Sequence, residues 1–69
     1  MRLSARNQIN GTIRDVNLGG VMAKVTVDIA GGHTLVSTIT RDAAVELNLT
    51  AGDEVTVVIK STEVMIGKD

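Results

Sequence analysis

The sequence contains no cysteine and a single histidine, which excludes disulfides and thiolate metal sites and makes a structural zinc site unexpected. It also lacks phenylalanine, tyrosine and tryptophan, the side chains that usually contribute most area to a core. A chain of 69 residues makes one small domain, 1–69, whose core is marginal without reinforcement. Because neither disulfides nor a metal can supply that reinforcement, we expect a homo-oligomer.

The chain also has no large net charge, since 7 basic and 8 acidic residues leave a formal net charge of -1. A balanced chain has no overall field to attract nucleic acid or an anionic membrane. Single-strand binders also need aromatic side chains for base stacking, so a nucleic-acid-binding barrel is only a weaker alternative. No apolar run approaches the roughly 20 residues of a membrane span. We expect neither a membrane nor a nucleic acid as partner, and the absence of cysteine fits a cytoplasmic protein.

Val, Ile and Leu are abundant, and they recur in alternating patterns. Residues 21–29 keep a period of two: Val21, Ala23, Val25, Val27 and Ile29 lie on one face and Met22, Lys24, Thr26 and Asp28 on the other, which predicts a half-buried strand. In the first strand, Gly11 and the out-of-phase Val16 predict a bend and a bulge. Thr40 is predicted to cap a short helix through residue 47. Weaker alternation predicts four further strands at 7–16, 33–40, 54–60 and 64–66.

The order of these elements predicts the fold class. Three strands, a short helix and two strands are typical of an all-β, five-stranded, OB-like Greek-key barrel with the helix between strands 3 and 4. A simple meander or an SH3-like barrel is the main alternative.

Catalytic groups are sparse. Nucleophilic catalysis needs a nucleophile beside an oriented base, but the one imidazole, His33, adjoins a predicted Gly-Gly turn and the carboxylates are scattered singly. The glycine pairs are not phosphate loops, because strands rather than a Lys-Ser/Thr pair and a helix follow them. We therefore do not expect an enzyme.

Hydrogen-bond donors concentrate near the two ends of the sequence. Ser4 and Arg6 precede the first strand, and Lys60 and Ser61 end the fourth, while Thr40 stands before the helix. A guanidinium, an ammonium and several hydroxyls can together hold a tetrahedral oxyanion without covalent chemistry. On composition and spacing alone, solvated charges at strand ends are the favoured interpretation, and an oxyanion site is the alternative.

Two sequence motifs favour the oxyanion site over solvated charges. Residues 4–8 read S-A-R-N-Q and residues 59–65 read I-K-S-T-E-V-M, with V-M-A-K-V at 21–25 between them. Together they resemble the molbindin (Mop) family of small molybdate- or tungstate-binding proteins. Related domains occur in molybdate-responsive regulators and in molybdate transporter ATPase subunits. The resemblance covers nearly the whole chain.

The resemblance implies an OB-like hexamer, a trimer of dimers, that binds molybdate or tungstate between subunits for storage or homeostasis. It implies that Ser4 and Arg6 come from one subunit and that Thr40, Lys60 and Ser61 come from its neighbour. A structural or regulatory interaction module of the same fold, with weak or no ligand binding, is the alternative.

Two further expectations follow from the resemblance. Many relatives have serine where this chain has Ala43, so a hydroxyl is lost and only the backbone amide remains available as a donor there. The family also has a second class of oxyanion site on its threefold axis. In this chain the resemblance places that site around Gly20, Val21 and Met22.

Overall fold

A computed structural model describes all residues, 1–69, as an open antiparallel sheet with one short helix. The sheet has the strand order β3-β2-β1-β4, so β3 and β4 are its two free edges. The all-β class is confirmed, but the sheet contains four strands instead of five. The elements are β1 (Asn7–Leu18), β2 (Met22–Ile29), β3 (His33–Thr40), α1 (Arg41–Glu46), β4 (Glu54–Ile59) and a 3₁₀ turn (Ser61–Glu63).

The predicted fifth strand at 64–66 is wrong for the single chain. These residues follow the 3₁₀ turn and join no strand. Met65 and Ile66 are 93% and 89% exposed. An apolar alternation favours a strand only where a neighbouring backbone can satisfy its hydrogen-bonding groups, and this chain places none beside the run.

β1 joins the two halves of the sheet. Its first half pairs with β4, its second half pairs with β2, and Gly11 has a partner in each. A side chain at position 11 would place its Cβ 2.5 Å from Val27 Cγ1 and 2.8 Å from the Asp28 carbonyl oxygen, so glycine is required there. The register shifts between Ile13 and Asp15, which is the bulge that the phase change had predicted.

The core lies on the inner face of this curved sheet and is small. Five of the 69 residues are buried. The predicted inner face of β2 is confirmed, except that Val21, in the turn before the strand, is 75% exposed. Beside the core an apolar groove of about 330 Å³ opens between the strands and the residues after α1. The buried residues are Ile13, Ala23, Val25, Val27 and Ala44.

Helix α1 begins as its sequence predicted. Thr40 is the N-cap, and its Oγ1 accepts a hydrogen bond of 3.1 Å from the Ala43 backbone N–H. The helix has six residues and ends before Leu47. No helix has the length and apolar character needed to cross a membrane.

Candidate functional site

The two donor-rich ends of the sequence meet in one groove of about 380 Å³. Antiparallel pairing of β1 with β4 brings them together, because Asn7 opposite Ile59 is the first pair of that ladder. Residues just before β1 therefore lie beside residues just after β4. The groove is lined by Ser4, Ala5, Arg6, Lys60, Ser61 and Thr62, and we call it the donor groove.

Two side-chain hydrogen bonds to the backbone order the donor groove. On one wall, Gln8 Nε2 donates to the Ala5 carbonyl at 3.0 Å. Between the walls, Asn7 Nδ2 donates to the Ile59 carbonyl at 3.3 Å. The amides of the S-A-R-N-Q motif thus bind the backbone, while Ser4 and Arg6 of the same motif line the groove.

The side chains of the donor groove suit a compact dianion. Arg6 and Lys60 contribute two positive charges, and three hydroxyls accompany them. None of the lining residues carries a carboxylate. The ion pair of this structure joins Arg14 to Asp28 on another part of the sheet, so neither groove cation is neutralised within the chain. Charge-assisted hydrogen bonds of this kind are the strongest available for holding an oxyanion.

The other predicted site residues gather at the far end of β1. Met22 pairs with Thr40 across β2 and β3, next to the end of β1 at Leu18. Arg41 connects this region to the β1–β2 turn: its backbone N–H donates to the Val21 carbonyl at 2.7 Å, and its Nη1 donates to the Gly19 carbonyl at 2.8 Å. Thr40, Ala43 and the Gly20–Met22 turn therefore form one region, which we call the turn end.

The donor groove and the turn end lie far apart within one chain. A 12-residue strand separates them, which at about 3.3 Å per residue is on the order of 40 Å along the strand. An ion that accepts hydrogen bonds of about 3 Å cannot contact both. The resemblance had implied Lys60 and Ser61 together with Thr40 and opposite Arg6. Within one chain, the β1–β4 pairing places Lys60 and Ser61 beside Arg6; the division of these residues between subunits stays a prediction.

The backbone N–H of Ala43 was expected to be available as a donor to a ligand. It is already engaged, since it donates to Thr40 Oγ1. As that oxygen accepts from Ala43, the proton of the Thr40 hydroxyl remains free to be donated elsewhere. Thr40 is therefore the donor that α1 presents, and Ala43 serves to orient it.

Sequence reasoning missed two residues and assigned one correctly to the surface. Thr62 lines the donor groove although only its neighbours were selected, and its place in the K-S-T motif was the available signal. Arg41 organises the turn end, and nothing in the sequence pattern indicated its bond to Gly19. His33 is exposed at the start of β3, as its position beside the Gly-Gly turn predicted. The structure contains no group of three side chains placed to hold a metal ion.

Comparison with known proteins assigns the chain to a family. Residues 3–66 match the model of the TOBE domain. The chain belongs to the TOBE domain family. The match covers both walls of the donor groove and the turn end, so the whole candidate site lies inside the family domain.

Individual relatives show which members of the TOBE domain family this chain is similar to. This TOBE domain is 46% identical over 67 residues to a probable molybdenum-pterin-binding protein of Haemophilus influenzae, covering 97% of each chain. It superimposes on MopII of Clostridium pasteurianum with a TM-score of 0.92 at 43% identity, covering 97% of this chain and all of that one. A molybdate-bound structure of the cytoplasmic molybdate-binding protein ModG matches with a TM-score of 0.83 at 41% identity, over 88% of this chain and 43% of ModG. The resemblance to the molbindin (Mop) family is confirmed.

Proposed function

We propose that this TOBE domain binds molybdate or tungstate reversibly and without catalysis, for storage or homeostasis of the ion in the cytoplasm. The observation that carries the proposal is the donor groove, in which two cations and three hydroxyls converge without a carboxylate. Molybdate and tungstate are tetrahedral dianions of similar shape, and the same donors suit either. The similarity to a probable molybdenum-pterin-binding protein of Haemophilus influenzae and to ModG with molybdate bound supports the same ligand class.

We further propose that the complete site lies between copies of the chain in a homo-oligomer. The donor groove of one copy would receive the Thr40 hydroxyl from the turn end of another, because Thr40 of the same copy is too distant. The donors on the groove side are Ser4, Arg6, Lys60 and Ser61. A hexamer built as a trimer of dimers is the assembly that the Mop resemblance implies. The Gly20–Met22 turn would form a second oxyanion site around its threefold axis.

The exposed apolar C-terminal run supports assembly. Residues 64–66 are apolar, extend beyond the 3₁₀ turn and pair with nothing in their own chain. Both edges of the sheet are free, and the apolar groove beside the core is open. A run of this kind gains both hydrogen bonds and apolar contact by adding to the sheet of a neighbour. We therefore place residues 64–66 of one copy against the open sheet of another.

Replacement of a groove cation tests the binding site. Arg6→Ala should weaken molybdate binding by about 10- to 100-fold, because a hydrogen bond to a charged group contributes about 1.5–3 kcal/mol. The hexamer should persist, since the proposed assembly contacts are the apolar residues 64–66 and not Arg6. Calorimetric titration with molybdate measures the affinity, and native mass spectrometry measures the assembly. Arg2→Ala is the matched control, because Arg2 is exposed and does not line the groove; equal affinities for Arg6→Ala and the native protein would overturn the assignment.

Truncation tests the assembly. A chain ending after Glu63 should dissociate to smaller species, and its molybdate affinity should fall by about 100-fold or more as the shared sites are lost. Analytical ultracentrifugation gives the mass. Met65→Thr and Ile66→Thr, made together, keep the length of the run and should give a partial effect. A truncated chain of unchanged mass would exclude the C-terminal run from the interface.

The second candidate is an interaction module of the same fold with little ligand binding. Its supporting observation is Ala43, which removes a hydroxyl from the turn end. If this candidate is correct, the protein should assemble but show no heat of binding with either molybdate or sulfate in calorimetry.

A further inference from the structure

Two backbone carbonyls beside the donor groove already accept hydrogen bonds from donors of the same chain. The Ala5 carbonyl accepts from Gln8 Nε2 at 3.0 Å, and the Lys60 carbonyl accepts from the Glu63 backbone N–H at 2.9 Å. Both Ala5 and Lys60 line the groove. These hydrogen bonds engage acceptors that a ligand could otherwise use.

The side chains add donors to this surface. A guanidinium and an ammonium donate hydrogen bonds and cannot accept them. A serine or threonine hydroxyl can accept, but a hydroxyl that accepts from the ligand turns its own proton away from it. Because no carboxylate lines the groove, a ligand with a proton of its own meets mostly donors there, and the Ala5 and Lys60 carbonyls each already accept one hydrogen bond.

We propose that the donor groove selects tetrahedral oxyanions that carry no proton, and that Gln8 is a specificity-determining residue because its amide occupies the Ala5 carbonyl. Molybdate, tungstate and sulfate are unprotonated at neutral pH, whereas hydrogen phosphate keeps one proton. Binding hydrogen phosphate would leave that proton unpaired or would cost the ligand a hydroxyl donor. This selectivity rests on the proposed oxyanion-binding function.

Displacement calorimetry with the full-length native protein tests the proposal. The protein is first titrated with sodium molybdate at mildly alkaline pH, where phosphate is mainly the hydrogen phosphate dianion, and the titration is repeated in the presence of sodium sulfate or sodium phosphate at equal ionic strength. Sulfate and hydrogen phosphate are close in size and share a double charge, so the proton is the main difference between them. Sulfate should compete at concentrations about tenfold lower, or lower still, because leaving a polar group unpaired is costly.

A variant locates the selectivity. Gln8→Ala frees the Ala5 carbonyl, so hydrogen phosphate should compete several-fold better while competition by sulfate stays unchanged. Gln8 is exposed and its replacement should not disturb folding. Asn10→Ala is the matched control, because Asn10 is an exposed amide two residues further along β1 that does not line the groove. It should leave both competitors unchanged.

The outcomes separate the two proposals. If molybdate binds, and hydrogen phosphate competes as well as sulfate, the selectivity inference is wrong while the proposed function stands. If the Gln8→Ala and Asn10→Ala variants change the ratio equally, Gln8 has no role in specificity. If no oxyanion binds at all, both proposals are wrong.

Discussion

The donor groove and the turn end are built by different means. The donor groove depends on pairing between the two ends of the sequence, and it concentrates charged side chains. The turn end is held by backbone carbonyls and the helix cap, with Arg41 bonded to Gly19 and Val21 and with Ala43 bonded to Thr40. The donor groove supplies positive charge, and the turn end supplies the oriented hydroxyl of Thr40. Since about 40 Å of β1 separates them, a site that uses both regions requires two copies of the chain.

The largest effect is expected from mixing two variants that each damage one region. Arg6→Ala impairs the donor groove, and Thr40→Val removes the hydroxyl of the turn end. Each should bind molybdate weakly as a pure oligomer. Unfolding the two together and refolding them as a mixture should restore native affinity at about a quarter of the sites, because random mixing pairs an intact groove with an intact Thr40 that often. Calorimetric stoichiometry measures this fraction.

Two controls define that experiment. Each variant refolded alone should remain weak, and Thr38→Val, which removes an exposed hydroxyl two residues earlier on β3, should bind as the native protein does. A mixture without any recovered sites would mean that the two regions do not combine across copies.

A moderate effect is expected from restoring a hydroxyl at the turn end. Ala43→Ser adds a donor beside Thr40 and should tighten molybdate binding by about 2- to 10-fold, in line with about 0.5–1.5 kcal/mol for one hydrogen bond. Ala43→Gly, which adds no hydroxyl, serves as the control. Unchanged affinity in Ala43→Ser, measured by the same titration, would show that position 43 does not face the ion.

The smallest effect concerns Asp28, which belongs to neither region. Its hydrogen bond from Arg14 at 3.1 Å lowers its pKa below the ordinary value of 3.8; the attraction of Arg14 and a hydrogen bond from Thr34 act in the same direction, and desolvation opposes them. A lowered folded-state pKa stabilises the fold above pH 3.8, and this contribution is lost as the pH falls through the folded-state pKa. The pair is exposed, so the effect is small.

Urea unfolding between pH 5 and pH 2 checks the Asp28 prediction. Asp28→Asn should flatten the decline of the unfolding midpoint towards acid, whereas Asp15→Asn, at a residue without an ion pair, should not. Molybdate affinity at neutral pH should be the same in both variants. An altered affinity in Asp28→Asn would show that the binding site extends beyond the two regions.

The candidate site was predictable from sequence only in its parts. Ser4, Arg6, Lys60 and Ser61 were identified because their side chains have the right chemistry and stand in motifs, and chemistry is a property of single residues. How they combine depends on the pairing of β1 with β4, which no local pattern reveals. Lys60 and Thr40 were each identified from the sequence, and their grouping on one side of a shared site stays a prediction.

The sequence by itself determined the all-β class, the strand of residues 33–40, the bulge in β1 and the Thr40 cap, because alternation, phase and capping act over a few neighbouring residues. Only the tertiary structure decided that residues 64–66 pair with nothing in their own chain and that both ends of the sequence share one groove. The physical reason is that strand pairing depends on which backbone groups are brought together in space. A run of apolar residues does not specify the strand with which it pairs.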